Sequence, residues 1–133
     1  MNNAPSPRTG QDSFFTKELN SFGYAMRGFR YVVKHERHIR IHLVISVLVI
    51  LAGRFFGLSM MEWCFVVFSI GAVITAEMLN TSIEKLTDLV SSRHHPLAGL
   101  VKDISAGAVL VAALTAAVVG SLVFFPKLLA VLH

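Results

Sequence analysis

Charge, cysteine and proline are all scarce in this sequence. Of its 133 residues only 15% are Asp, Glu, Lys or Arg, four are Pro and one is Cys. So little charge excludes an intrinsically disordered chain and an ordinary water-facing surface. Cys64 stands alone in an apolar run, so no disulfide forms within the chain and the redox compartment is left open. Acidic residues are outnumbered, eight against twelve Lys and Arg, which leaves a net charge of +4. No internal repeat is found. No secretory leader is expected, because the first apolar run begins about forty residues in. Apolar residues are plentiful: they make up 54% of the chain, and the mean hydropathy is +0.64. They are gathered into long runs, which points to a bilayer rather than to a large water-excluded core. At this length one domain is the limit. Basic residues in such a chain mark the cytoplasmic side of a membrane, not contact with nucleic acid.

Residues 1–11 hold Pro5 and Pro7 among Ser, Asn and Gly, and read as a disordered tail. The remainder, residues 12–133, reads as a single membrane domain. In residues 12–38 the apolar side chains Phe15, Leu19, Phe22, Met26, Phe29 and Val33 recur at intervals of 4, 3, 4, 3 and 4, with Lys17, Arg27, Arg30 and Lys34 mostly off that stripe. This predicts an amphipathic helix on the membrane surface, or one docked against another helix of the same protein. His35, His38 and His42 follow at i, i+3 and i+7. Such a row suits either interfacial histidines or zinc, but no cysteine or four-ligand set accompanies it.

Three spans are expected after that helix. The first, residues 39–60, carries Arg54 near its far end and a Gly-containing turn at residues 53–59. The second, residues 61–90, is apolar only from Trp63 to Ala76, so it must borrow from a polar stretch to finish crossing and then extends into the cytoplasm. The third, residues 97–126, has an uncharged stretch long enough to span alone. Its Gly107, Ala113, Ala117, Gly120 and Ser121 suggest close helix packing, and Pro126 with Lys127 should close it. Seven Lys or Arg stand before or at the start of the first span, the last of them Arg40, and Lys85, Arg93 and Lys102 flank the second loop, whereas the first loop has Arg54 and the tail Lys127. The positive-inside rule then puts the N-terminus and second loop in the cytoplasm and the C-terminus outside.

The polar stretch is where chemistry can reside. Glu77, Asn80, Thr81, Glu84 and Asp88 fall at i, i+3, i+4, i+7 and i+11, on one helix face. Acids on a spanning helix persist only where that face meets protein, water or a ligand. Glu77 lies about 21 Å along the helix from Trp63, still inside a hydrocarbon core of about 30 Å, and Glu84 lies about 10 Å further on, near water. A carboxylate at the depth of Glu77 accepts a proton more readily than one in water. Glu36 and Glu84 share the cytoplasmic interface, and magnesium takes one or two carboxylates plus substrate phosphates. Lys102 and Arg93 could neutralise phosphate oxygens. These parts describe phosphoryl transfer to a hydroxyl at the membrane surface. They equally describe a structural set, in which Glu84 pairs with Lys102 and Glu77 merely bonds a neighbouring helix; separately, Lys85 is spaced i, i+3 from Asp88 and could pair with it. No G-x-x-x-x-G-K-[ST] loop, H-R-D or D-F-G is present, so spacing alone establishes no kinase.

The motifs themselves carry a resemblance. Glu77-Met78-Leu79-Asn80-Thr81-Ser82-Ile83-Glu84 with Asp88 resembles the E-x-L-N-[ST]-[SA]-I-E-x-x-x-D signature of the prokaryotic diacylglycerol kinase family. Lys102-Asp103-Ile104-Ser105-Ala106-Gly107-Ala108-Val109-Leu110 is similar to its K-D-x-[GA]-[SA]-[GA]-A-V-L segment, and Gly23-Tyr24-Ala25-Met26-Arg27-Gly28 with His35-Glu36 to its surface helix. Arg40-Ile41-His42-Leu43 resembles the undecaprenol kinase branch. The resemblance implies an all-α integral membrane protein with three transmembrane helices and an N-terminal amphipathic surface helix, assembled as a homotrimeric bundle. It implies an ATP- and Mg2+-dependent lipid kinase acting on undecaprenol, or on diacylglycerol, at the inner (cytoplasmic) membrane. Glu77 would be the general base, and Glu36 and Glu84 would hold magnesium and ATP. Lys17, Tyr24, Arg93, His94, His95, Lys102 and Asp103 would surround the nucleotide, and Ser21 and Asn80 the lipid hydroxyl. Arg93 and His94 depart from an acidic residue and a tyrosine common in relatives, and Lys17 from an arginine. Outside this family, the stripe suits a non-enzymatic oligomer with Glu77 as an ion or proton relay, or a scaffold whose helices it cements.

Overall fold

The computed structural model describes residues 14–91 and 95–132, and among them every regular element is a helix. They are α1 (Phe14–His35), α2 (Arg37–Phe55), α3 (Met60–Val90) and α4 (Pro96–Leu132). The tail expected over residues 1–11 lies outside the described residues. The chain divides into two compact units, residues 1–31 and residues 32–133.

In the first unit α1 is amphipathic as its spacing predicts, and Leu19 and Phe22 on the apolar stripe are exposed. Ser21 Oγ donates back to Lys17 O at 3.0 Å, and the Arg27 guanidinium stacks 4.6 Å from the Tyr24 ring centroid.

The second unit holds three helices long and apolar enough to cross a membrane. At 19, 31 and 37 residues, α2, α3 and α4 extend about 28, 46 and 55 Å, so α2 matches a bilayer core and the other two project beyond it. The central helix is α3, packed mainly on α4 and less on α2. Its buried residues are Val66, Val73, Glu77 and Thr81, one line along the helix in which a carboxylate continues an apolar row. Leu58, Val66 and Val123 form the core at one end, with Trp63, Phe56 and Phe124 against them. Most large apolar side chains of the spans, such as Leu48, Phe68 and Leu114, are exposed, as lipid or neighbouring copies require.

Two expectations are corrected. The turn does not begin at Gly53, which is buried inside α2. Helix α2 ends in a Schellman motif: Leu58 N–H donates to Gly53 O at 3.1 Å, and Gly57 takes φ +63°. Gly53 is small for a packing reason, since a Cβ there would lie 2.9 Å from the end of the Trp63 ring. Ser59 then starts α3 with a capping box: Ser59 N–H donates to Glu62 Oε2 at 2.6 Å and Glu62 N–H to Ser59 Oγ at 3.4 Å. Second, α4 does not stop at Pro126 but continues to Leu132. A membrane helix tolerates the lost N–H where neighbours resatisfy the freed carbonyl, and Lys127 anchors the far end by a 3.1 Å pair to Glu62 on α3. The small residues of α4 leave space beside that helix. A Cβ at Gly107 or Gly120 would meet nothing within 4 Å, and Ala113, Ala117 and Gly120 border a groove.

Gly57→Ala should cost about 1 kcal/mol, because the left-handed conformation strains any side chain, whereas Cys64→Ala, at an exposed site, should be near neutral. Thermal unfolding of both variants in detergent checks this.

Candidate functional site

The polar stripe of α3 grades from buried to exposed. Glu77 and Thr81 are buried, Asn80 and Glu84 half-buried, and Asp88 exposed. A carboxylate buried in an apolar bundle is held only by a partner. Glu77, with its side chain 7% exposed, has one from α2: His42 Nε2 lies 3.2 Å from Glu77 Oε1. One turn on, Asn80 is bonded on both sides of its amide. Its Nδ2 donates to Glu84 Oε1 at 3.0 Å, and its Oδ1 accepts from Ser105 Oγ on α4 at 2.6 Å. The Ser105 hydroxyl also reaches Lys102 O at 2.9 Å, so its single proton is shared between two acceptors. A chain of polar contacts therefore runs from α4 through Asn80 to Glu84 and fixes the Asn80 amide.

Toward the exposed end the ion pairs differ from the structural alternative read in the sequence. Lys102 Nζ donates to Asp88 Oδ1, not to Glu84. Lys85 lies 3.7 Å from Glu36 Oε1, not against Asp88. The cause is geometric: i, i+3 spacing leaves Lys85 within reach of Asp88, yet α2 begins beside Lys85 and offers a carboxylate there. Glu36 is the N-cap residue of α2, but its side chain makes no capping hydrogen bond. It is thus available to a ligand, and Lys85 places it next to the helix turn that carries Glu84.

His95 and Pro96 open α4, Pro96 at the first helical position. His95 Nδ1 accepts from Leu97 N–H at 3.2 Å, which commits that ring nitrogen to the helix end. Asp103 is exposed one residue beyond Lys102. Lys17, Ser21 and Tyr24 are exposed on α1, in the other unit. Arg93 and His94 lie outside the described residues.

Two residues of this constellation escaped the sequence reading as site residues. Ser105 was visible inside the Lys102–Leu110 segment, and His42 was visible as a histidine entering an apolar run, where burial is costly without a partner. Among the described residues no three His, Cys, Asp or Glu side chains are grouped to hold a metal, and of the row His35, His38, His42 the last turns to Glu77. A donor set of two carboxylates, Glu36 and Glu84, fits magnesium that keeps waters and shares substrate phosphates, not a protein-only cage.

Below the His42–Glu77 pair lies an apolar groove of about 360 Å³ between α2, α3 and α4, bordered by His42, Ile45 and Ser46, by Val66 and Val73, and by Ala116 and Gly120. At this end the groove is bordered by Val73, one turn before Glu77, and by His42, which contacts the Glu77 carboxylate.

Residues 23–124 match the family model of prokaryotic diacylglycerol kinase. The undecaprenol kinase of Bacillus subtilis (strain 168) is 40% identical over 115 residues, which cover 84% of this chain and 94% of that protein. The diacylglycerol kinase of Synechocystis sp. is 37% identical over 115 residues, 86% of this chain and 66% of that protein. That of Escherichia coli (strain K12) is 28% identical over 104 residues, 78% and 85% of the two chains.

Ser105→Ala should cost about 1 kcal/mol, since it leaves the half-buried Asn80 carbonyl without its donor. Lys102→Met, which opens an exposed pair, should cost well under about 1 kcal/mol. Unfolding midpoints of the two variants, compared side by side, check the order.

Proposed function

The chain belongs to the prokaryotic diacylglycerol kinase family, and from that premise we propose that it transfers the γ-phosphate of ATP to the hydroxyl of undecaprenol at the cytoplasmic face of the membrane. One observation carries the reading. Among the described residues Glu77 is the one buried carboxylate, and it sits between an apolar groove on one side and a polar, increasingly exposed stripe on the other. An alcohol with a hydrocarbon tail and a charged nucleotide need that junction. The choice of undecaprenol over diacylglycerol rests on the likeness to the B. subtilis enzyme.

The acceptor oxygen attacks the γ-phosphorus, the bond to the ADP oxygen breaks, and Glu77 takes the hydroxyl proton. Asn80, held by Ser105 and bonded to Glu84, orients the acceptor and keeps Glu84 pointed at the nucleotide. Glu36 and Glu84 would hold Mg2+, which would supply positive charge against that of the phosphates. The family resemblance assigns Lys17, Tyr24, Arg93, His94, His95, Lys102 and Asp103 to ATP and Ser21 to the lipid hydroxyl. His95 serves through Nε2, because Nδ1 caps α4.

The active assembly is a homotrimer. The reading is supported by a single chain leaving most of its spanning surface open, with room beside Gly107 and Gly120 of α4 for another copy. The N-terminus and the α3–α4 loop are cytoplasmic, as their basic residues require, and the C-terminus is outside.

Purified protein given labelled ATP, magnesium and either lipid should phosphorylate undecaprenol faster than diacylglycerol. The reverse order makes diacylglycerol the acceptor, and transfer to neither overturns the kinase reading in favour of a relay or a scaffold. Glu77→Gln should lower kcat by about 100-fold or more with the KM for ATP little changed. Glu84→Gln should raise the magnesium concentration needed for half-maximal rate; full activity in both variants would refute the site.

A further inference from the structure

We infer that His42 is a positioning residue for Glu77: its Nε2–H donates to one carboxylate oxygen and holds the other toward the end of the apolar groove. The inference rests on Glu77 as proton acceptor in the kinase reading, and adds a group that touches the base but not the reacting atoms.

The geometry supports it in three ways. An ionised carboxylate only accepts hydrogen bonds, so the imidazole nitrogen 3.2 Å from Glu77 Oε1 carries the hydrogen. His42 also borders the groove, so an alcohol that threads its tail there brings its hydroxyl past the imidazole before reaching Glu77. No other charged group competes for the carboxylate in the contacts described. On α2, Arg37 and Arg40 are exposed, and Arg40 Nη1 donates to Lys34 O at 3.4 Å. On α3 the next carboxylate, Glu84, is bonded to Asn80. On α4 the Lys102 ammonium is held by Asp88, Asp103 is exposed, and residues 104–125 are uncharged. A carboxylate with one donor on one oxygen has a defined direction. Without that donor it rotates about its side-chain torsions, and a base that wanders loses its geometry.

The test compares His42→Leu, which fills the space without a donor, with His42→Gln, whose amide N–H can replace Nε2–H. Two quantities are read on the full-length protein in detergent. One is kcat and the KM for ATP and for undecaprenol. The other, without nucleotide or lipid, is the rate at which dicyclohexylcarbodiimide modifies Glu77, followed by mass spectrometry. His42→Leu should lower kcat about tenfold and raise the labelling rate about tenfold, the factor one lost charge-assisted hydrogen bond carries, with the KM for ATP unchanged. His42→Gln should restore both to within about threefold. If the leucine variant does not fold, His42→Asn, too short to reach Glu77, takes its place. Labelling and turnover equal to wild type in the leucine variant would overturn the inference, as would equal impairment by Gln and Leu. A wild type that phosphorylates neither lipid removes the kinase reading, and the labelling order then decides by itself whether His42 holds Glu77.

Discussion

A carboxylate inside an apolar helix has to be held, and the contact between Glu77 and His42 is how this chain holds it. An unpartnered charge there would cost several kcal/mol, a large share of what a domain has in total stability. That cost fixes the placement of α2, whose histidine must face α3 at the border of the groove. It also sets the direction of the rest. From Glu77 outward, Asn80, Glu84, Lys85 and Asp88 each have a partner from another helix or a neighbouring turn, and the stripe passes from buried at Glu77 to exposed at Asp88.

The gradient separates two tasks by position along one helix. About 16 Å of helix axis lies between Glu77 and Asp88. The buried end meets a groove lined by Val, Ile, Ala and Gly, suited to a hydrocarbon tail. The exposed end carries Glu84, Asp88, Lys85 and Lys102, suited to a metal and phosphates. Asn80 joins the ends, since its amide is bonded to Glu84 on one side and to Ser105 of α4 on the other. The surface pairs at the outer end add little stability. They keep Lys102 beside the exposed carboxylate of Asp88 and Lys85 beside the half-buried carboxylate of Glu36.

Much of this was legible in the residues. The 3.6-residue period put Glu77, Asn80, Thr81, Glu84 and Asp88 on one face, and that face is the one buried and bonded. The three apolar runs are the three long helices. What periodicity could not supply was the partner across helices. Spacing along one helix allowed Lys85 to reach Asp88, whereas the structure gives each to a residue distant in sequence, Glu36 and Lys102. His42 was seen as one of three histidines on a helix, because the sequence holds no sign of which side faces α3. Gly53 read as a turn residue because its need for smallness comes from Trp63, ten positions on. Pro126 read as a stop because proline breaks helices in water, and a bilayer relaxes that rule.

The account stands on Glu77 being the group that receives the acceptor's proton at the end of the groove. The most direct measurement is an experimental structure of the assembled protein with magnesium, a non-hydrolysable ATP analogue and undecaprenol. The account predicts the lipid oxygen within about 3 Å of a Glu77 carboxylate oxygen, the tail in the groove beside His42, and Glu36 and Glu84 at the metal. A lipid oxygen bound at another carboxylate, or Glu77 sealed against a neighbouring copy with no path to the nucleotide, would contradict it.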